Sequence, residues 1–236
     1  MLRGREGPFS PGIAWIRPIA PLLHDPEDVV RRNAAFGLGQ VNDLRAVEPL
    51  INVLQDSTRA EFVRQSAAGA LSRAVEPLIA TLQDKDDKVR QQAVLALGYS
   101  NAPEAVEPLI VALRDTDVMV RWYSAWALGR LNDLRAVEPL IATLRDTDER
   151  VLADAAVALG VLKDGRAVEP LIVTLRTANG GPTRQNAAWA LGQLNDLQAV
   201  EPLIDALGDA VEQVRASAAD ALKKLDPVAA AKAGLK

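Results

Sequence analysis

The chain has 236 residues, 49% of them hydrophobic and 25% charged, with a formal net charge of −4; that balance belongs to a folded chain in water and argues against disorder. It has no cysteine and a single histidine, His24, which removes disulfides, thiolate centres and a cysteine nucleophile and leaves too few ligands for a zinc or iron site, so no metal and no cofactor is expected. The acidic balance argues against a nucleic-acid partner, because a phosphate backbone rewards a basic surface.

Taken from the start, residues 1–12 read as an N-terminal extension. No apolar stretch of a secretion signal follows Met1, residues 13–23 are interrupted by Arg17, Pro18 and Pro21, and no apolar run approaches the roughly 20 residues a membrane span needs. A cytoplasmic protein without a membrane partner is expected. From residue 13 onward the chain repeats itself. The hexapeptide Ala-Val-Glu-Pro-Leu-Ile occurs six times, with prolines at 49, 77, 108, 139, 170 and 202 and spacings of 28, 31, 31, 31 and 32. Stepping 31 back from Pro49 reaches Pro18, in a divergent first copy. Seven units over residues 13–226 and a C-terminal tail, 227–236, are therefore expected. His24, next to Asp25-Pro26, reads as a turn residue.

The second unit is irregular. Its inner turn, Asp56 to Phe62, is longer than its counterparts, and only Ser72, Arg73 and Ala74 separate Leu71 from Val75, where the later units have eight residues such as Gly129 to Ala136. So short a connection forces either early termination of the helix before it, with Ser72 capping the next, or fusion of the two. Pro77 favours early termination.

Residues 133–160 serve as the type unit. Asp133 is placed to cap a first helix that carries Val137, Leu140, Ile141 and Leu144 at helical spacing, with Pro139 early enough for its missing N–H to cost little. Asp146-Thr147-Asp148 forms a turn, and a second helix from about Glu149 packs Val151, Ala155, Ala156, Ala158 and Leu159. Gly160 closes an Ala-Leu-Gly triplet found also at Gly98, Gly129 and Gly192, either as a cap or as a point of close helix contact. One such hairpin cannot bury both apolar stripes, and stacking the hairpins does.

The pattern Asp-x-Arg-Ala-Val-Glu-Pro-Leu-Ile-x-x-Leu-x-Asp, followed by Val-Arg and Ala-Ala-x-Ala-Leu-Gly, resembles the HEAT-like repeat of phycobilisome bilin lyases, the PBS lyase HEAT-like repeat family. The resemblance covers residues 13–226. It implies an all-α fold, a right-handed α-α superhelix (a HEAT-type, armadillo-like solenoid) of about seven two-helix repeats. It also implies an Asp at each inner turn and an Arg six positions on, met here by Asp25/Arg31, Asp84/Arg90, Asp115/Arg121 and Asp209/Arg215. Repeat five has Leu152 in the Arg position, and repeat six has Thr177 with Arg184. This series reads as a ladder of hydrogen bonds between neighbouring turns.

In such stacks the second helices line the concave face. Counted from the Arg position, three columns on them vary from unit to unit: Arg32, Gln65, Gln91, Trp122, Ala153, Gln185, Ala216; Asn33, Ser66, Gln92, Tyr123, Asp154, Asn186, Ser217; and Phe36, Gly69, Leu95, Trp126, Val157, Trp189, Asp220. Of the chain's three Phe, two Tyr and four Trp, Phe36, Trp122, Tyr123, Trp126 and Trp189 fall in these columns. Exposed aromatics are common binding anchors, and Trp122 and Trp126, four apart, share a helix face. The expected partner-binding residues are Arg32, Asn33, Phe36, Gln91, Gln92, Leu95, Trp122, Tyr123, Trp126, Asp154, Gln185, Asn186 and Trp189. No catalytic residue is expected. One histidine is too few for the HEAT-repeat hydroxylases that bind two irons, the Glu of each Glu-Pro pair repeats as a surface charge does, and Gly180-Gly181 lacks the Lys-Ser/Thr of a phosphate loop. The expected function is a non-catalytic scaffold binding a protein or peptide on the concave face. The alternative is a bilin lyase or isomerase acting on a tetrapyrrole and a client protein.

Overall fold

The computed structural model describes residues 19–41, 44–56 and 60–235. The extension 1–12, Pro18 of the first copy and residues 57–59 of the longer inner turn lie outside the described residues. Among those described there are fourteen α-helices and no strand. In chain order they are α1 (Asp28–Val41), α2 (Val47–Gln55), α3 (Glu61–Ser72), α4 (Val75–Thr81), α5 (Asp87–Ser100), α6 (Val106–Ala112) and α7 (Val118–Leu131). They continue as α8 (Val137–Thr143), α9 (Glu149–Leu162), α10 (Val168–Thr177), α11 (Gly181–Leu194), α12 (Val200–Ala206), α13 (Glu212–Leu225) and the short α14 (Pro227–Lys232). Up to α13, even-numbered helices open a repeat and odd-numbered ones close it, giving the all-α solenoid of two-helix repeats that the periodicity predicts. None of the described helices is long and apolar enough to cross a membrane.

The local chemistry of each repeat explains its helices. Asp133, Asp164 and Asp196 accept the N–H two residues on, at 2.9–3.0 Å, and so cap a 3-10 turn. The opening α-helix starts after that turn, at Val137, Val168 or Val200, three residues later than a direct Asp133 cap would place it. The proline is thus the third helical residue, where the N–H has no intrahelical acceptor in any case. The closing helices α5, α7 and α9 start on a second capping Asp: Asp86 accepts from Lys88 N, Asp117 from Val120 N and Asp148 from Arg150 N; Gly180 and Val211 hold that place before α11 and α13. Helices α5, α7, α9 and α11 end on a left-handed residue, Asn101, Asn132, Lys163 and Asn195 respectively, with φ of 52–56°. The Ala-Leu-Gly glycines are therefore contact points and not caps. A Cβ on Gly129 would lie 2.9 Å from the Ala158 Cβ, and one on Gly160 would lie 2.8 Å from the Ala190 Cα.

Among the described residues Lys163 is the one left-handed helix cap that is not asparagine. Both side chains carry a Cβ that disfavours this conformation, but the short amide of Asn can hydrogen-bond locally to offset it and the long Lys chain does not. Lys163→Asn is expected to stabilise the fold by about 0.5–1 kcal/mol, a rise of a few degrees in thermal midpoint. An unchanged or lowered midpoint counts against that account.

Two leucine columns form the core. Leu78, Leu109, Leu140, Leu171 and Leu203 come from opening helices and Leu38, Leu71, Leu97, Leu128, Leu159 and Leu191 from closing ones, all essentially without exposure. The chain divides into two compact units, residues 1–108 and 109–236. In the first, α3 packs between α1 and α5, while α2 touches both α3 and α5. In the second, α7, α9, α11 and α13 lie in a row, with α8 on α9, α10 on α11 and α12 on α13.

At the short connection α3 ends at Ser72 after 12 residues, against 14 for the other closing helices. Arg73 and Ala74 make the turn. The expectation that Ser72 caps the next helix is corrected: its hydroxyl meets the carbonyls of Ala68 and Ser100, and the N-cap of α4 is Ala74, which offers no side-chain bond. Both the capping Asp of repeats five to seven and the 3-10 turn that precedes the other opening helices are among the residues this connection lacks.

The Asp–Arg ladder runs between repeats. Arg121 donates through Nε and Nη2 to Asp146 at 2.7 and 3.0 Å, and through Nη1 to the carbonyls of Asp115 and Thr116 in its own turn. Arg184 does the same to Asp209, at 2.7 and 3.0 Å, and to Ala178 and Asn179. Between repeats five and six both partners are absent: Leu152 stands for Arg, and Ala178 (its carbonyl accepting from Arg184 Nη1), rather than Thr177, stands for Asp. There the Glu149 carboxylate reaches across instead, accepting from Gly180 N and the Thr183 hydroxyl.

These contacts tie the fold to pH. The Arg135, Arg150 and Arg166 guanidiniums hold Asp133, Asp148 and Asp164 below the usual carboxyl range, Asp164 at about 2. Hydrogen bonds from Arg184 lower Asp209. Burial pushes Asp146 up, but the hydrogen bonds from Arg121 and the Asp148 N–H with the Arg121 charge together outweigh it, and the net direction is down. A carboxyl that titrates lower when folded stabilises fully above its unfolded value, near 4, and loses that contribution as pH falls through the folded one. The thermal midpoint is expected to hold from pH 7 to 5 and to fall between about pH 4 and 2; a midpoint unchanged at pH 2 would contradict this.

Candidate partner-binding surface

On the closing helices the three variable columns face outward to different degrees. Among residues 1–108, Arg32 and Asn33 are exposed, Phe36 is 53% exposed, Gln92 is exposed and Gln91 half-buried. Leu95 is a correction: at 8% exposure it belongs to the core, which the regular count from the Arg position did not reveal. Each exposed phenylalanine there carries a guanidinium. Arg73 lies over the Phe36 ring, 5.1 Å from its centroid, and Arg32 over Phe62 at 5.9 Å, distances at which a cation and a π face attract.

The predicted residues of units 109–236 sit on three adjacent helices: Trp122, Tyr123 and Trp126 on α7, Asp154 on α9, and Gln185, Asn186 and Trp189 on α11. Trp122 is half-buried and has two neighbours against its ring. Tyr123 stacks on it, with centroids 5.0 Å apart and planes at 25°, and the Arg150 guanidinium lies 6.0 Å from its centroid. Arg150 is itself held by Asp148 through Nε and Nη2 at 3.0 and 2.9 Å. The Trp122 indole N–H donates to Asp154, while burial pushes that carboxyl above its ordinary value. Trp126 is half-buried with Arg130 over its ring at 5.2 Å. Asn186 donates through Nδ2 to the Ala153 carbonyl at 3.1 Å, and Gln185 is half-buried. Trp189 is 37% exposed, with one ring edge in the space above Gly160, where a Cβ would come within 2.7 Å of the ring.

The arginines are what the column count missed. Arg130 stands four residues after Trp126 on one helix and was readable as a pair. Arg150 reaches Trp122 from the next repeat, and no spacing within a repeat signals it. Among the described residues no group of three or more His, Asp or Glu is arranged to hold a metal ion.

A family model described as HEAT repeats matches residues 16–74, 75–160 and 168–233. A human deoxyhypusine hydroxylase is 39% identical over 70 residues, which take in 30% of this chain and 22% of that protein; the chain therefore spans under a quarter of that relative's length. A designed armadillo repeat protein in complex with the peptide (KR)4 is similar in structure, with a TM-score of 0.54 and 21% identity over 89% of this chain and 99% of the other. The complex of CpcE and CpcF of phycocyanin lyase from Nostoc sp. has a TM-score of 0.44 and 24% identity over 99% and 96% of the two chains. At these identities the structural likenesses bear on the fold alone.

Proposed function

The chain belongs to the HEAT-repeat family, and on that premise we propose that it is a non-catalytic scaffold that takes a peptide or folded protein on the concave surface lined by its closing helices. The observation that carries this reading is the group Trp122, Tyr123, Trp126 and Trp189. Rings of that size, set in columns whose other members vary freely while the leucine columns stay fixed, suit anchoring better than packing. Stacking and the arginines hold them in place beforehand, which lowers the ordering cost of binding. A stacked-repeat protein of similar fold in complex with a peptide supports that class of partner. The test is partner capture on the immobilised chain, compared with Trp122→Ala/Trp126→Ala of equal helix content; equal capture by both rejects the reading.

The second reading, a bilin lyase or isomerase of the PBS lyase HEAT-like repeat type, rests on the repeat motif. Tyr123 stacks on Trp122 and the Arg150 guanidinium lies 6.0 Å from its centroid, so a flat tetrapyrrole would compete with both for that ring. A shifted visible band on adding phycocyanobilin would favour the lyase reading over the scaffold.

A further inference from the structure

Asp154 differs from the other half-buried aspartates around it. Asp146 and Asp209 each hold a guanidinium through two hydrogen bonds. Asp154 pairs with no cation among the described residues, and the contact it has is the neutral Trp122 N–H. In the same column on α11, Asn186 gives Nδ2 to Ala153, and its Oδ1 has no protein donor among the described residues. Over repeats four to seven the three columns contain two carboxylates, Asp154 and Asp220, and neither Lys nor Arg. The cations at their margin are engaged: Arg150 by Asp148 and the Trp122 ring, Arg130 by the Trp126 ring.

A carboxylate withdrawn from water without a counter-ion costs stability. A ligand that brings a cation and N–H donors removes that cost, and the aromatic faces beside it add attraction. We propose that Asp154 receives an arginine or lysine side chain of an extended basic peptide, seated on the surface made by α7, α9 and α11. This rests on the partner-binding reading and gives that partner its charge.

The chain kept for such a contact is less stable than one without it. Asp154→Asn keeps the shape and an oxygen for the Trp122 N–H, so it melts no lower than the parent while losing the basic ligand. The experiment is fluorescence anisotropy of labelled hexa-arginine, hexa-lysine, hexa-glutamate and a neutral Gly-Ser hexapeptide with the full chain, at about 0.15 M salt so that long-range attraction is screened. The parent is expected to bind the two basic peptides about tenfold or more tighter than the neutral one, and Asp154→Asn to lose about tenfold of that. Asp220→Asn, at an exposed position, is expected to change it by less than about twofold. Equal binding of basic peptide by Asp154→Asn and parent, or none by the parent at millimolar concentration, overturns the assignment. If the parent binds the neutral or acidic peptide and Trp122→Ala/Trp126→Ala does not, the cation assignment fails and the aromatic surface stands. If that double variant still captures the scaffold's own partner, the surface reading fails as well.

Discussion

Trp122→Ala combined with Trp126→Ala is expected to abolish partner capture with helix content unchanged. Buried anchors of this size each cost about 2–4 kcal/mol when truncated, so even the lower figure for both weakens binding by about a thousandfold. The two positions differ in what else they do. Trp122 holds Asp154 and touches Tyr123 and Arg150, so its loss also loosens neighbours and lowers the melting point somewhat. Trp126 is paired with Arg130, and Trp126→Ala alone is the cleaner measure of anchoring. Neither ring belongs to the leucine columns, which is why the fold survives both changes. Calorimetric titration that found the double variant within twofold of the parent would reduce the cluster to packing.

The other large effect is on the ladder. Arg121 and Asp146 have side chains only 15% and 12% exposed, so removing either leaves the other charge poorly solvated. Arg121→Leu and Asp146→Ala are each expected to cost about 2–4 kcal/mol. The pair together copies the joint between repeats five and six, where Leu152 and Ala178 stand in these places, and should cost less than the sum of the singles. A coupling of about 1–3 kcal/mol is expected from the double-mutant cycle. Recovery is partial, because Arg121 also serves two carbonyls of its own turn and Asp146 accepts from Asp148 N. Additive costs in urea denaturation would mean that the two side chains act independently.

Repeats were legible in the sequence because the same demand recurs at a fixed interval. A proline tolerated only at a helix start, a leucine pointing inward and a glycine where two helices touch return every 31 residues or nearly so. What falls between repeats was harder to read. The Asp and Arg positions were legible as a ladder between neighbouring turns, but its donor and acceptor lie 25 residues apart in sequence, and counting within one unit did not say which Arg meets which Asp. Arg150 over Trp122 escaped for the same reason. Leu95 was misplaced because a column defined by counting carries no information on how far a neighbouring helix covers it. The role of Ser72 turned on the carbonyl of Ser100, 28 residues on, which no local capping rule supplies.

The joint between repeats five and six bears on how such a chain grows by duplication. A second copy of repeat four would find an Asp waiting ahead of each Arg. A second copy of repeat five would not: Glu149 would meet another capping aspartate where it now meets Gly180, and two like charges would share one corner. A lone copy of repeat six would leave an Arg facing an alanine. Copied together, five and six would keep the pairing at each of their joints; copied singly, neither would.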